Sequence, residues 1–395
     1  MKNERRVIMK SCCKTVDILD ADAINQVTWE TLEDKKLRRR DYSSFVSSYS
    51  DKSARKVQKI ASKHTSKLEL QDEVDAISKD IRDRFKSGNL NLPPIEHKEK
   101  LDGMNKKLRI LGIEAPIQQV MEHIVVRFLD ELWQRKFCRY QYASIDGRGQ
   151  LRGAKQIQEW TMKDEMRYFV KIDIRKCFPS INHEIMIKHL SRDLSKNKPL
   201  LNLIISILQT HCDGVIGLEI GSLLSQNLCN YAISDIYRYA ESLYKYRRDK
   251  RMPLIKHQLW FMDDGLFGGN NRNDLYKAVK MVEKYAMNTW GLEIKPNWHV
   301  KDHDLEPINM MGYKIYGDGT MKIKSEIYIR GERTLNHYSS LDIKQARSAT
   351  ARYGYFKHTG ITEIKKPNGK TIDLNRTKRN ASKFISDYDK KGQAI

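Results

Sequence analysis

No run of eighteen apolar residues occurs anywhere in these 395 positions, so no membrane-spanning helix is predicted. The first fifteen residues are basic and carry no apolar stretch, so no secretory signal is readable. Cysteine is sparse: Cys12, Cys13, Cys138, Cys177, Cys212 and Cys229 form no CxxC pair. A zinc site and a disulfide framework are therefore not expected, and a reducing cytoplasm fits. Acidic charge is also short, with 50 Asp and Glu against 72 Lys and Arg, a net +22 that calls for a polyanionic partner. Hydrophobic residues make up 40% and aromatic ones 9%, enough for a packed core, which excludes wholesale disorder. Basic charge alone does not separate an enzyme acting on nucleic acid from a passive binder.

Residues 1 to 90 are polar and charge-dense, and they are predicted to form a largely helical basic extension. Leu68, Leu70, Val74, Ile77 and Ile81 give helical spacing over Ser62 to Phe85, closed by Ser87-Gly88 and Pro93-Pro94. Pro116 opens a further amphipathic helix with Ile117, Val120, Ile124, Phe128 and Leu132. From Tyr168 the period becomes two. Tyr168, Val170, Ile172 and Ile174 take one strand face, and Phe169, Lys171 and Asp173 the other. Helices are expected from Asn182, after Gly221-Ser222, and from Asn273 to Thr289, the last closed by Gly291. Between the last two, Leu259 to Met262 reads as a strand running into an Asp263-Asp264-Gly265 hairpin turn. Leu292–Ile294 and Met310–Tyr316 read as strands, and 331–395 as helical, with fourteen Lys or Arg against six Asp or Glu. This order predicts an α+β fold with helices on one face of an antiparallel sheet.

Asp173 ends a strand, and Asp263 and Asp264 stand side by side in a turn. Adjacent carboxylates repel, and such an arrangement is explained when divalent cations sit there. Magnesium takes one or two carboxylates together with phosphate oxygens. Two such ions about 4 Å apart stabilise both the attacking and the leaving oxygen of an in-line displacement. Asp-Asp-Gly by itself is a solvated turn, and Asp173 by itself a capping or ion-paired acid. Further signals in register change that balance.

Those signals are Lys171-Ile-Asp-Ile-Arg-Lys-Cys-Phe-Pro-Ser-Ile181, Ile220-Gly-Ser-Leu-Leu-Ser-Gln226, Phe261-Met-Asp-Asp264, Gly291-Leu-Glu-Ile-Lys-Pro-Asn297 and Met310-Met-Gly-Tyr313. In this order they resemble the palm motifs of a bacterial reverse transcriptase. The resemblance implies a right-hand polymerase fold: fingers and palm over 91–316 after the 1–90 extension, then a helical thumb over 317–395. It implies an RNA-directed DNA polymerase using two Mg2+ ions, with Mn2+ able to substitute. Asp173, Asp263, Asp264 and the Ile174 carbonyl would hold the metals. Phe178 would be the steric gate that excludes a ribose, with Cys177 beside it a buried small residue. Lys107, Arg109, Arg148 and Gln226 would contact the nucleotide. Gly221, Ser225, Met311, Gly312, Tyr313, Arg347 and Lys357 would contact template or primer. Lys295 is the choice for the acid that protonates pyrophosphate, with Trp298 and His299 near the same register.

The second motif departs from the commoner Gln-Gly and Ser-Pro, having Ile220-Gly221 and Ser225-Gln226. That variant is similar to the reverse transcriptases of diversity-generating retroelements, as is Ala346 to His358 in the thumb. It implies a bacterial or phage-encoded enzyme working with a structured RNA template, a DNA or RNA primer, dNTPs and a small basic accessory protein, without a membrane. A phage-defence reverse transcriptase is the first alternative, and a catalytically inactive RNA-binding relative a further one. A retron enzyme lacks support because no Val-Thr-Gly stands in the thumb, and an intron maturase because no endonuclease-like segment follows it. Native template, priming mode and the partner of residues 1–90 are not readable. Arg247, Arg248, Lys250 and Arg251 form a second basic cluster, open between a solvated loop and a nucleic-acid contact.

Overall fold

The computed structural model describes residues 11–391 apart from 33, 62–65, 103–106, 164, 337–341, 366–368 and 370. Helices α1 (Ala21–Thr31), α2 (Asp34–Leu37), α3 (Arg40–Ser47), α4 (Ala54–Ile60), α5 (Ser66–Glu69) and α6 (Gln71–Ser87) precede the hairpin β1 (Glu96–Asp102) and β2 (Lys107–Ile113). Then come α7 (Pro116–Phe128), α8 (Asp130–Lys136), α9 (Gln150–Met162), β3 (Tyr168–Asp173), α10 (Cys177–Ser180), α11 (His183–Asp193), α12 (Lys198–Leu208) and α13 (Leu223–Ser242). Strands β4 (Tyr244–Arg247), β5 (Lys250–Pro253), β6 (His257–Phe261) and β7 (Asp264–Gly269) lead to α14 (Arg272–Trp290). Strands β8 (Val300–Asp302), β9 (Ile308–Met310), β10 (Tyr313–Ile315) and β11 (Met321–Ile323) follow. The chain continues through α15 (Ser325–Asn336), α16 (Ile343–His358), β12 (Glu363–Lys365), β13 (Thr371–Asp373) and α17 (Leu374–Lys391).

The chain divides into two units. The first comprises 1–144, 173–240 and 280–296; the second comprises 145–172, 241–279 and 297–395. In the first unit the helix starts follow from local chemistry. Asp20, Asn182 and Asn197 each accept a hydrogen bond from a backbone N–H of the first turn they open, and Pro116 occupies the first turn of α7. Gly88, at φ 72°, ends α6 in the left-handed conformation that glycine adopts without strain. The helix expected over Ser62 to Phe85 is two helices, α5 and α6, interrupted at Leu70, and 62–65 lie outside the described residues. Leu68 is 85% exposed, because the buried stripe starts with Leu70. Helix α13 is buried on most sides, as its mix of Leu, Ala, Ile and small residues dictates. Asp235 ties it to α14, accepting from Tyr285 Oη at 2.8 Å and Trp290 Nε1 at 3.0 Å.

The second unit is built on a sheet of order β6-β7-β3-β8, in which β6 pairs antiparallel with β7 and β3 with β8. Phe169 is buried, edge-on to His303 at 5.5 Å, so this strand is covered on both faces rather than one. A smaller sheet, β11-β10-β9, and a hydrophobic cluster of Ile323, Ala346, Ala349, Phe356, Ile364, Leu374 and Ala381 complete the unit. Four sequence expectations change here. Leu292–Ile294 is no strand: only Ile294 pairs, in an isolated bridge with Ile174, and β8 begins at Val300. Met310–Tyr316 is a hairpin folded at Met311 (φ 52°) and Gly312 (φ 88°) rather than one strand. The cap of α14 is Asn271, whose Oδ1 accepts from Asp274 N at 3.1 Å, instead of Asn273. The expected all-helical tail contains the β12–β13 hairpin.

Gly265 holds two strands close together. A methyl group at its Cα would come 2.9 Å from Ile172 and 3.0 Å from the Trp260 ring. Both neighbours are buried, so they have little room to yield. Gly265→Val is expected to lower stability by about 1–3 kcal/mol, read as a lower midpoint in thermal or urea denaturation.

Candidate active site

In the second unit, β6 and β7 close on the pair Phe261↔Asp264, so the turn is Met262-Asp263. Asp264 and Gly265 already belong to β7, so the turn lies two residues before the Asp-Gly pair that turn chemistry favours. Met262 takes φ 55°, a left-handed conformation that strains a side chain of this size. Trp260 and Phe267 anchor the hairpin from below, edge to face at 5.9 Å and fully buried. Ile172 lies against Gly265; Asp173 is the next residue after the former, and Asp264 the one before the latter. Lys171 Nζ stands 2.9 Å from Asp264 Oδ1. Lys324 also enters this field: burial lowers its pKa first, then the nearby charge of Lys171. Neither lysine was assigned a role from the sequence, although the alternation of β3 puts Lys171 on the face of Asp173.

In the first unit, Lys295 Nζ lies 2.7 Å from Asp173 Oδ1. That oxygen is sealed from solvent, and its approach to the ammonium is not aligned as a hydrogen bond. The chain around Asp173 is fixed by two backbone bonds: Lys295 N donates to Asp173 O at 2.9 Å and Arg175 N to Glu293 O at 2.8 Å. The Ile174 carbonyl takes no part in these two bonds. Phe178 is half-buried on the short α10, entered through Lys176 at φ 46°. Its carbonyl accepts from Leu218 N at 2.9 Å. Cys177 is buried, with its sulfur 3.3 Å from that of Cys229. Lys295 thus reaches Asp173, whereas Trp298 is buried and His299 exposed.

The second motif is stitched to β1 and β2. Gly112 N donates to Ile220 O at 3.2 Å, and a side chain at Gly221 (φ 125°) would press on Gly112 O at 3.1 Å. His97 Nε2 meets Glu219 Oε1 at 3.1 Å. Burial opposes ionisation of Glu219, but the Cys212 amide and His97 more than offset it, so its pKa falls. Behind the motif lies a buried cluster of Glu114, Glu122 and His211, the one group of three metal-ligating side chains that converges among the described residues. Ser222 Oγ donates to Glu122 at 2.6 Å and Leu224 N at 3.2 Å, so a carboxylate meets the first turn of α13. Burial, then the adjacent Glu122, pushes Glu114 up to about 9. Burial also acts against Glu122, yet His211 and Ser222 more than offset it and keep its pKa low. The two carboxyl groups therefore share a proton at neutral pH.

Four expected template or primer positions, Ser225, Met311, Gly312 and Tyr313, are engaged in packing. Ser225 is fully buried, with Oγ 3.4 Å from His211 Nδ1. Tyr313 is buried with Oη 3.2 Å from His358 Nδ1, and Met311 is buried beside it in sequence. Gly312 is seated by close approach: a side chain there would strike the Tyr355 ring at 2.5 Å. Gln226 and Arg148 are half-buried, and Arg109, Gly221, Arg347 and Lys357 are exposed. On β2, Lys107 and Arg109 stand two residues apart, opposite Asp102 and Lys100. The Lys107 side chain lies outside the described residues.

The family model for reverse transcriptase (RNA-dependent DNA polymerase) matches residues 95–315, more than half of the chain, so the chain belongs to that family. Two curated relatives are intron proteins of Saccharomyces cerevisiae. The COX1/OXI3 intron 1 protein is 24% identical over 164 residues, covering 38% of this chain and 19% of the relative. The COX1/OXI3 intron 2 protein is 19% identical over 321 residues, covering 66% and 37%. The chain thus spans well under half the length of either. Among solved structures, a telomerase from Candida albicans, in complex with a fragment of telomeric RNA, aligns with a TM-score of 0.39 and 10% identity, over 72% of this chain and 58% of that one. The mixed α and antiparallel β architecture agrees with the right-hand polymerase class expected from the sequence. No helix among the described residues is long and apolar enough to cross a membrane.

The shared proton gives a pH test. The Glu114 pKa is raised in the folded state, so its contribution to stability is full below about 4.5 and is lost as pH rises toward about 9. Denaturation midpoints measured across this window are expected to fall for the wild type, by at most about 1.4 kcal/mol per pH unit. Glu114→Gln keeps a donor for Glu122 and should flatten the curve.

Proposed function

We propose that the chain is an RNA-directed DNA polymerase that extends a primer along an RNA template with dNTPs. The observation that carries this reading is the family match over 95–315, which contains Asp173, Asp263 and Asp264 in the motif order of a polymerase. Two of these acids carry an ammonium counter-charge, Lys295 on Asp173 and Lys171 on Asp264. The donor set fits hard divalent cations. It consists of carboxylate oxygens with the Ile174 carbonyl, and it includes the buried Asp173 Oδ1 that has no aligned hydrogen bond. Asp173, Asp263 and Asp264 would hold two Mg2+ ions, or Mn2+ in their place. When bound, such ions neutralise charge on the attacking hydroxyl and the leaving pyrophosphate.

The chain's own residues do the rest. Lys107, Arg109 and Arg148 grip the triphosphate. The half-buried Phe178 ring fills the space a ribose 2′-hydroxyl would need, with its backbone held by Leu218. Lys295 Nζ supplies a proton to the departing pyrophosphate, its backbone fixed on that of Asp173. Gly221 lets the backbone approach nucleotide or template. Gln226, one turn into α13, lies beneath the incoming base pair. Arg347 and Lys357, exposed on α16, follow the duplex phosphates. Ile220-Gly221 and Ser225-Gln226 favour an enzyme of a diversity-generating retroelement, working in the cytoplasm on a structured RNA with a small basic accessory protein. Ile220 in place of an amide removes hydrogen bonds near the base pair and relaxes base choice.

Primer extension on RNA with Mg2+ tests this. Asp263→Asn and Asp173→Asn should lower incorporation by about a thousandfold. Phe178→Ala should raise rNTP use relative to dNTP by about tenfold or more. Ile220→Gln should lower misincorporation opposite adenine, read by sequencing the products. Wild-type protein without any dNTP incorporation on primed RNA would overturn the reading.

A further inference from the structure

The hairpin β4–β5 is the basic cluster that the polymerase reading leaves without a task. It is exposed at every position from Tyr244 to Pro253 except Lys245, which is half-buried and paired with Asp274 at 2.5 Å. A two-stranded ribbon this short buries too little to be kept for packing. The register Arg247↔Lys250 leaves Arg248 and Asp249 as a two-residue turn at φ 48° and 59°. Such a turn favours Asn and Gly, yet here an arginine takes the strained position at the tip. Alternation puts Tyr244 and Tyr246 on one face with Arg251, the cross-strand partner of Tyr246. Arg251 stacks over Tyr244 at 4.0 Å, and Tyr244 stands edge-on to Tyr246 at 5.4 Å. The Tyr246 ring is left 69% exposed. Arg247, Arg248, Lys250 and Arg251 are exposed along the same ribbon, and Asp249 is its one acid.

We propose that β4–β5 is a single-stranded nucleic-acid arm in which Tyr246 stacks on a base and the four exposed cations follow the phosphate backbone. An exposed aromatic ring on a ribbon that carries four exposed cations matches this ligand, since every base offers a π-face and every nucleotide a charge. An acidic protein surface would satisfy the cations but leave the ring without a flat partner. Between the arm and the Met262-Asp263 turn lie Leu254, Ile255, Lys256 and the five residues of β6, the last about 17 Å of strand, so a bound strand is held within several nucleotides of that turn. This placement rests on the polymerase reading; the binding itself does not.

The test is fluorescence anisotropy of the full chain with labelled single strands of about 20 nucleotides, one RNA and one DNA, from about 0.05 to 0.3 M salt. Tyr246→Ala is expected to weaken binding by about tenfold, and Tyr246→Phe to restore it. Replacing Arg247, Arg248, Lys250 and Arg251 together by Gln should reduce the salt slope by about three. RNA bound more tightly than DNA would identify the strand as template, and the reverse as product. Wild-type affinity in Tyr246→Ala, or an unchanged salt slope in the fourfold variant, overturns the proposal. If Tyr246→Ala loses RNA while the wild type incorporates no dNTP, the arm stands and the polymerase reading falls.

Discussion

A carboxylate at the end of a strand needs positive charge beside it, and in each unit the chain supplies an ammonium. Asp264 at the start of β7 has Lys171, and Asp173 at the end of β3 has Lys295. In each case the counter-charge comes from an element whose backbone is already fixed, by strand alternation for Lys171 and by the Asp173–Lys295 backbone bond for Lys295. The apolar residues on those strands supply the rigidity. Trp260, Phe267, Ile172 and Val170 are buried, so strands β3, β6 and β7 are held by close packing.

A second layer of control lies behind the second motif. A backbone bond from Gly112, the His97 imidazole and the Glu122 carboxylate all converge on residues 219–222. A buried Glu pair would be costly if both members were charged; sharing one proton removes most of that cost and leaves a single anion to hold Ser222 and Leu224. The loop of residues 219–222 is thereby fixed by hydrogen bonds of defined direction rather than by shape alone.

Much of this was readable in the residues. The starts of α7, α11 and α13 follow from Pro116, Asn182 and Gly221-Ser222, and the β6–β7 hairpin from two apolar runs around an acidic turn. Less was readable where tertiary contact overrode local chemistry. The turn falls at Met262-Asp263 because pairing of Phe261 with Asp264 outweighs the Asp-Gly preference. Leu292–Ile294 has strand composition but finds a partner only at Ile174. Ser225 and Tyr313 carry polar atoms that look surface-bound, and both are buried because His211 and His358 wait for them. Such pairs, separated by many residues, leave no local trace. The charge relations of Lys171 and Lys324 with Asp264 are of the same kind.

Helix α13 has one further consequence. Its twenty aligned peptide dipoles leave partial positive charge at Leu223–Ser225, a place where many proteins seat a phosphate. Here that charge is already answered from within, by Glu122. A phosphate brought to this helix end would meet an anion already in place, so under the polymerase reading the triphosphate falls to side chains such as Arg109 and Arg148, whose hold weakens with ionic strength.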